Sequence, residues 1–144
     1  MPVPQRATLV TLGVADVERS AEFYEALGWR RSSASVAGEV AFFAAAGMVL
    51  SLYGLDDLAR DAGVSPDGSG FAGVTMAMNL ETAAEVDRAY ADWLGAGGSS
   101  LRPPYAAEWG GYIAYVADAD GHVWELAHNP YWPLDAGGRV VLPE

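Results

Sequence analysis

The feature that most restricts what this chain can fold into is an internal repeat. Thr11-Leu12-Gly13-Val14 recurs as Thr75-Met76-Ala77-Met78, each a short apolar strand followed by a polar turn and a helical pattern. Gly47-Met48-Val49-Leu50-Ser51-Leu52-Tyr53 recurs at a larger offset as Gly121-His122-Val123-Trp124-Glu125-Leu126-Ala127, each read as the return strand of a hairpin after a glycine turn. The larger offset places an insertion in the loop between the blocks, where added length costs little closure entropy. Two copies are too few for a solenoid, so the pattern predicts one pseudo-symmetric domain.

Both copies follow the same order. After the strand at 8–14, Asp16 is the expected N-cap of a helix, with Glu18 at the positive end of its dipole. Val17, Ala21, Tyr24 and Leu27 form its apolar stripe, and Gly28 ends it. In the second copy Thr82-Ala83-Ala84-Glu85 reads as a capping box, with Val86, Ala89, Tyr90, Trp93 and Leu94 as the stripe and Gly95 as the stop. Three short strands are expected after each helix, at about 29–36, 40–45 and 48–54, then at about 98–102, 111–117 and 122–128. Asp120-Gly121 is a two-residue hairpin signal. The reading is βαβββ twice: module one at about 7–54, a link at 55–71 with a short helix over 55–62, module two at about 72–129, and a tail at 130–144. Tyr131, Trp132 and Leu134 suggest that the tail docks, with 139–142 as a last short strand.

Composition narrows the chemistry. With 144 residues, 51% apolar, the chain can bury a real core. No apolar run approaches the roughly 18 residues of a membrane span. The opening MPVPQRATLV lacks a signal-peptide pattern, so a cytoplasmic protein is expected. There is no cysteine, and all eight basic residues are arginine, which removes thiolate ligands, Cys nucleophiles, Schiff-base chemistry and a P-loop lysine. A net charge of −11 argues against nucleic acid.

Two stretches carry a family resemblance: Leu12-Gly13-Val14-Ala15-Asp16-Val17 with Glu22-Phe23-Tyr24 and Leu27-Gly28-Trp29, and Val116-Ala117-Asp118-Ala119-Asp120-Gly121-His122-Val123-Trp124-Glu125-Leu126. Over residues 7 to 130 the chain resembles the vicinal oxygen chelate superfamily, the glyoxalase, bleomycin-resistance and extradiol-dioxygenase group. It departs at Ala119, where the family usually has proline. The resemblance implies an α+β fold in which two βαβββ modules form a curved, incompletely closed eight-stranded sheet around a cavity. Helices would lie outside, and a homodimer is common. It also implies metal ligands on the first and last strands of each module, which fall here on Leu9, Ser51, Gly73 and Glu125. Only Glu125 ligates strongly, since leucine and glycine offer no side-chain lone pair and serine is a poor donor to Zn²⁺, Ni²⁺ or Fe²⁺. No metal and no cofactor is therefore expected.

The remaining candidates surround that emptied quartet. His122 sits at a hairpin turn. His128, three residues from Glu125, faces the other side of a regular strand and serves as structure, rim hydrogen bonder or weak base. Glu125 is either a remnant held by a hydrogen bond or an isolated carboxylate, raised in pKa by apolar neighbours and able to act as a base. Tyr53, Tyr105 and Trp109 could clamp a planar guest, with 102–111 read as an irregular segment at the cavity mouth; the bland alternative is that Trp109 plugs the barrel end. The expected function is metal-independent binding or sequestration of a small aromatic or hydrophobic molecule, bleomycin-resistance-like. The acidic charge weakly favours a cationic guest. The alternatives are a metal-free lyase, isomerase or epimerase using Glu125 as general base and, least favoured, a metal-dependent glyoxalase or dioxygenase. Expected partners are the small molecule and a second copy of the chain, with no nucleic acid and no membrane.

Overall fold

Ten elements follow one another in a computed structural model that describes Val3 and residues 5–143, in the order that the repeat predicts except for one strand of the first module. They are β1 (Leu9–Val14), α1 (Val17–Ala26), β2 (Val40–Ala44), β3 (Val49–Gly54), α2 (Leu55–Ala62), β4 (Met76–Asn79), α3 (Ala83–Gly95), β5 (Ser99–Ala106), β6 (Tyr112–Ala117) and β7 (Val123–His128). The strands form two sheets, β1-β3-β2 and β4-β7-β6-β5. In each the first strand of the module runs parallel to the last, β1 beside β3 and β4 beside β7, and the other pairs are antiparallel. The fold is the α+β arrangement of two βαβββ-type modules, with no closed barrel among the described residues.

The helix signals are realised by the capping atoms themselves. The Asp16 carboxylate accepts from the Arg19 N–H at 3.1 Å, and the Thr82 hydroxyl accepts from the Glu85 N–H at 3.1 Å. Glu85 reaches back one residue further than a standard capping box, accepting from the Glu81 N–H at 2.9 Å. Alternation along the strands then sends Leu12, Val14, Leu50, Leu52 and Phe43 of the first sheet, and Ala114, Val116, Trp124 and Leu126 of the second, into one continuous core with both helices. Phe23 of α1 meets Trp93 of α3 edge to face, with ring centroids 5.2 Å apart. Thr11, Ser51, Tyr53, Tyr115 and Glu125 fall by the same alternation on the opposite faces.

Three local readings are corrected. Residues 29–36 do not form a strand; only isolated bridges, Arg31 with Phe43 and Val36 with Val40, remain, so among the described residues the sheets hold seven strands rather than eight. Serine hydroxyls compete with the ladder there: Ser32 accepts from the Ala34 N–H and Ser35 from the Phe42 N–H. Conversely β5 runs on through Pro103 and Pro104, with register shifts on either side of Arg102, in place of the irregular segment expected from the sequence. It is an edge strand with register shifts beside the prolines, and at such positions proline can sit without a ladder donor going missing. The tail forms a single bridge, Leu134 with Val140, instead of a strand at 139–142.

Candidate functional site

The turn between β6 and β7 fixes the two modules against each other. Asp118 is buried and accepts from the N–H groups of Asp120 and His122 through one carboxylate oxygen, each at 2.9 Å, and from the Tyr24 hydroxyl through the other at 2.5 Å. Trp124 Nε1 donates to the same Tyr24 oxygen at 3.2 Å. Asp120 accepts from the Ala15 N–H at 3.0 Å, and His122 Nε2 lies 2.8 Å from the Gly13 carbonyl oxygen. The sequence motif around Asp118 thus ties the end of β1 to the second module. Burial, with the Asp118 carboxylate beside it, pushes the Tyr24 phenol far above its usual range.

On the face of the second sheet turned away from α3, cross-strand pairing gathers a polar row. Glu125 pairs with Tyr115 and Ala77, Tyr115 pairs with Arg102, and Tyr105 pairs with Ile113. Tyr115 donates its hydroxyl to Glu125 Oε2 at 2.8 Å. That hydrogen bond, with partial burial and the Glu125 charge, pushes the Tyr115 phenol up to about 12. The register shift in β5 brings Arg102 and Tyr105 onto one side, with the guanidinium carbon 3.5 Å from the ring centroid. A carboxylate, two phenols and a guanidinium therefore share one sheet face.

The larger cavity lies elsewhere. β1 and β4 are each paired on one side only, and between their free edges opens a cleft of about 1390 Å³. Leu9, Leu50, Met48, Met76 and Met78 line it, with Trp29 and Trp124 from the aromatic cluster. Those two rings meet edge to face at 5.9 Å. A second recess of about 200 Å³ lies against the tail.

The sequence candidates do not converge on one site. Leu9 lines the main cleft, whereas Ser51 and Glu125 do not. Ser51 is buried, and Glu125 stands in the polar row with Tyr115 and Tyr105. His128 sits in the smaller recess, its Nδ1 3.2 Å from the Leu80 carbonyl oxygen. Tyr53 lies beside α2, where the Asp61 carboxylate, partial burial and Asp57 raise its phenol pKa. Trp109 caps the β5–β6 turn with its ring laid over Gly111, so close that no Cβ fits there. No ring contact among the described residues joins Tyr53, Tyr105 and Trp109.

Gly73 does not occupy the position that the repeat assigned to it. The ladders pair Thr11 with Ser51 and Ala77 with Glu125, and the helix N-caps are Asp16 and Thr82. Thr11 therefore corresponds to Ala77, and by the same offset Leu9 corresponds to Thr75, which stands past Gly73 in the chain. Both Leu9 and Thr75 line the cleft. Gly73 lies in the run before β4 with φ +80°. The donor set Leu9, Ser51, Thr75 and Glu125 still does not fit a divalent metal centre, because only the carboxylate is a strong ligand. Among the described residues no three His, Asp or Glu side chains form a group that could hold an ion.

Sequence reasoning left Trp29 open between core and site, and missed Arg30, Thr75, Met78 and Arg139 as cleft residues. No local signal marks them: only the assembled sheets make β1 and β4 edge strands, so that whatever flanks those edges faces the gap between the modules.

Known proteins place this geometry. A search of curated proteins gives no match. Among solved structures, the chain is 37% identical to a glyoxalase-related enzyme from Fulvimarina pelagi, with a TM-score of 0.88 over 98% of this chain and 100% of that one. It is 27% identical to a glyoxalase/bleomycin resistance protein/dioxygenase from Nocardioides, with a TM-score of 0.71 over 88% of this chain and 85% of that one. Lactoylglutathione lyase from Agrobacterium tumefaciens shares the fold at 18% identity and a TM-score of 0.67, over 88% of this chain and 95% of that one. The family profile matches residues 6–126, and with the paired modules around it this chain belongs to the Glyoxalase/Bleomycin resistance protein/Dioxygenase superfamily.

Proposed function

We propose that this protein binds a small aromatic or apolar molecule in the cleft between β1 and β4, without a metal, as a cytoplasmic binding or sequestering protein of the bleomycin-resistance kind. The cleft itself carries this reading. Its volume of about 1390 Å³ exceeds the roughly 300–1,000 Å³ typical of small-molecule sites, and its walls are mainly aliphatic, with two tryptophans among them. The metal-ligand positions of the fold hold only one strong ligand, the Glu125 carboxylate, which is too few to hold a divalent metal. Thermal unfolding tests the reading: aromatic ligands at a hundredfold excess over Kd are expected to raise Tm by roughly 5–10 °C. Stabilisation by Ni²⁺, Zn²⁺ or Fe²⁺ with none by any aromatic compound would overturn it.

One observation favours a second reading, a metal-free lyase, isomerase or epimerase. Glu125 and Tyr115 are a carboxylate and a phenol joined at 2.8 Å, a base beside a proton donor that stays protonated at neutral pH. Glu125→Gln separates the readings, because turnover is then expected to collapse while affinity for a neutral ligand holds.

We also propose that the protein works as a homodimer, a reading supported by the exposed Tyr131, Trp132, Val141 and Leu142 of the tail. Light scattering at micromolar concentration is expected to give twice the chain mass, and a monomer there refutes it.

A further inference from the structure

The charged side chains that line the cleft are opposite in sign to the net charge of the chain. Aspartate and glutamate number 19 against eight arginines, yet Arg30, Arg31 and Arg139 line the cleft and no described carboxylate does. Arg31 is already committed, with Nη1 2.8 Å from Glu18 Oε2 and Nη2 2.7 Å from Glu25 Oε1. The other two are available. Arg30 is exposed and forms no ion pair among the described residues. Arg139 lies across Gly47 in the β2–β3 turn, holding Asp135 only at 3.8 Å. Ser32, Ser33, Thr75 and Asn79 add neutral hydrogen-bonding groups to the same wall.

We infer that the cleft selects an aromatic carboxylate, its ring against Trp29 and Trp124 and its acid group held by Arg30 and Arg139. This rests on the binding reading above and names the ligand class for that site. A guanidinium presents paired N–H donors that match a carboxylate in geometry and in charge. The negative charge of the whole molecule works against an anion at long range. At 0.15 M salt it is screened beyond about 8 Å, so the nearest arginines decide what is retained. A cationic guest meets the same two arginines as repulsion.

Three probes of one shape test it: naphthalene-2-carboxylate, naphthalen-2-ylmethanol and naphthalen-2-ylmethylamine, each titrated calorimetrically into the intact protein. The carboxylate is expected to bind at least tenfold more tightly than the amine, with the alcohol between them. In Arg30→Gln/Arg139→Gln the carboxylate is expected to fall to the affinity of the alcohol, which itself changes little. Arg60→Gln/Arg88→Gln removes the same charge from exposed helix positions and is expected to leave the order intact. Indole N–H resonances of Trp29 and Trp124 are expected to shift on binding. Binding of the alcohol without preference for the carboxylate, or preference for the amine, overturns the anion inference alone. So does loss of the preference in both double variants, since net charge and not the cleft would then be responsible. Binding of none of the three overturns the binding reading on which the inference stands.

Discussion

Asp118 collects three hydrogen bonds in a buried position, two from its own turn and one from Tyr24, far away along the chain in the other module. A buried carboxylate needs such donors, and removing one leaves the group partly unsatisfied at a cost of roughly 1.5–3 kcal/mol. Tyr24→Phe keeps the ring in the aromatic cluster but deletes both the donor to Asp118 and the acceptor of Trp124 Nε1. Urea denaturation is expected to show a loss of about 2 kcal/mol with an unchanged m-value; a change under about 0.5 kcal/mol would mean that the contact contributes nothing net. Tyr115 offers a different test. Its phenol is raised to about 12 by Glu125, above the roughly 10 of an unfolded tyrosine. The folded state therefore holds this proton more tightly, so the stabilisation is present below about pH 10 and is lost as pH rises through about 12. Glu125→Gln is expected to bring the Tyr115 value down towards its ordinary range, read from its ¹³Cζ shift in a pH titration, and to flatten the fall in stability across that window. At this scale the sequence was partly legible. Asp16, Thr82 and Asp120-Gly121 act through bonds to near neighbours, so their roles could be read locally. The Tyr24–Asp118 bond could not, because nothing local couples two residues so far apart.

Periodicity delivered α1, α2 and α3 and most of the strands, because each element's apolar spacing is set by which face it buries. It failed at 29–36 and at 102–111 for opposite reasons. Serines at 32 and 35 gave the backbone a competing set of acceptors, whereas prolines at 103 and 104 looked like breakers only because an edge position cannot be recognised before the sheet is assembled. Gly98 shows how closely one element can depend on another. A Cβ there would overlap Trp93 Nε1 and stand 2.8 Å from the Ala117 carbonyl oxygen, the two partners of a 2.8 Å hydrogen bond that closes α3 onto β6. Gly98→Ala is expected to cost about 2–3 kcal/mol through displacement of the buried Trp93, seen as a lower Tm and an altered Trp93 indole N–H resonance. Retention of both would show that β5 shifts freely.

Over the whole molecule, the modules share a single core, and their free strand edges face a common cleft. On the readings proposed above, that arrangement makes ligand binding separable from chemistry at Glu125. Ligands for the cleft are predicted to perturb Trp29 and Trp124, while Glu125→Gln leaves their affinity within about threefold, as the carboxylate does not line the cleft; a larger loss measured by calorimetry would merge the two regions into one site. The sequence by itself determined the duplicated module, the helix caps and the shortage of metal ligands, because these depend on residue type and on spacing within a few turns of chain. Only the tertiary structure decided the true correspondence of the first strands, which puts Thr75 in place of Gly73 as the counterpart of Leu9. It also decided that three of eight arginines gather around an apolar cleft in an acidic chain. Net charge is a sum over the sequence, but a binding site feels the charges nearest to it, and which ones those are depends on how the strand edges, the 29–33 segment and the tail meet in space.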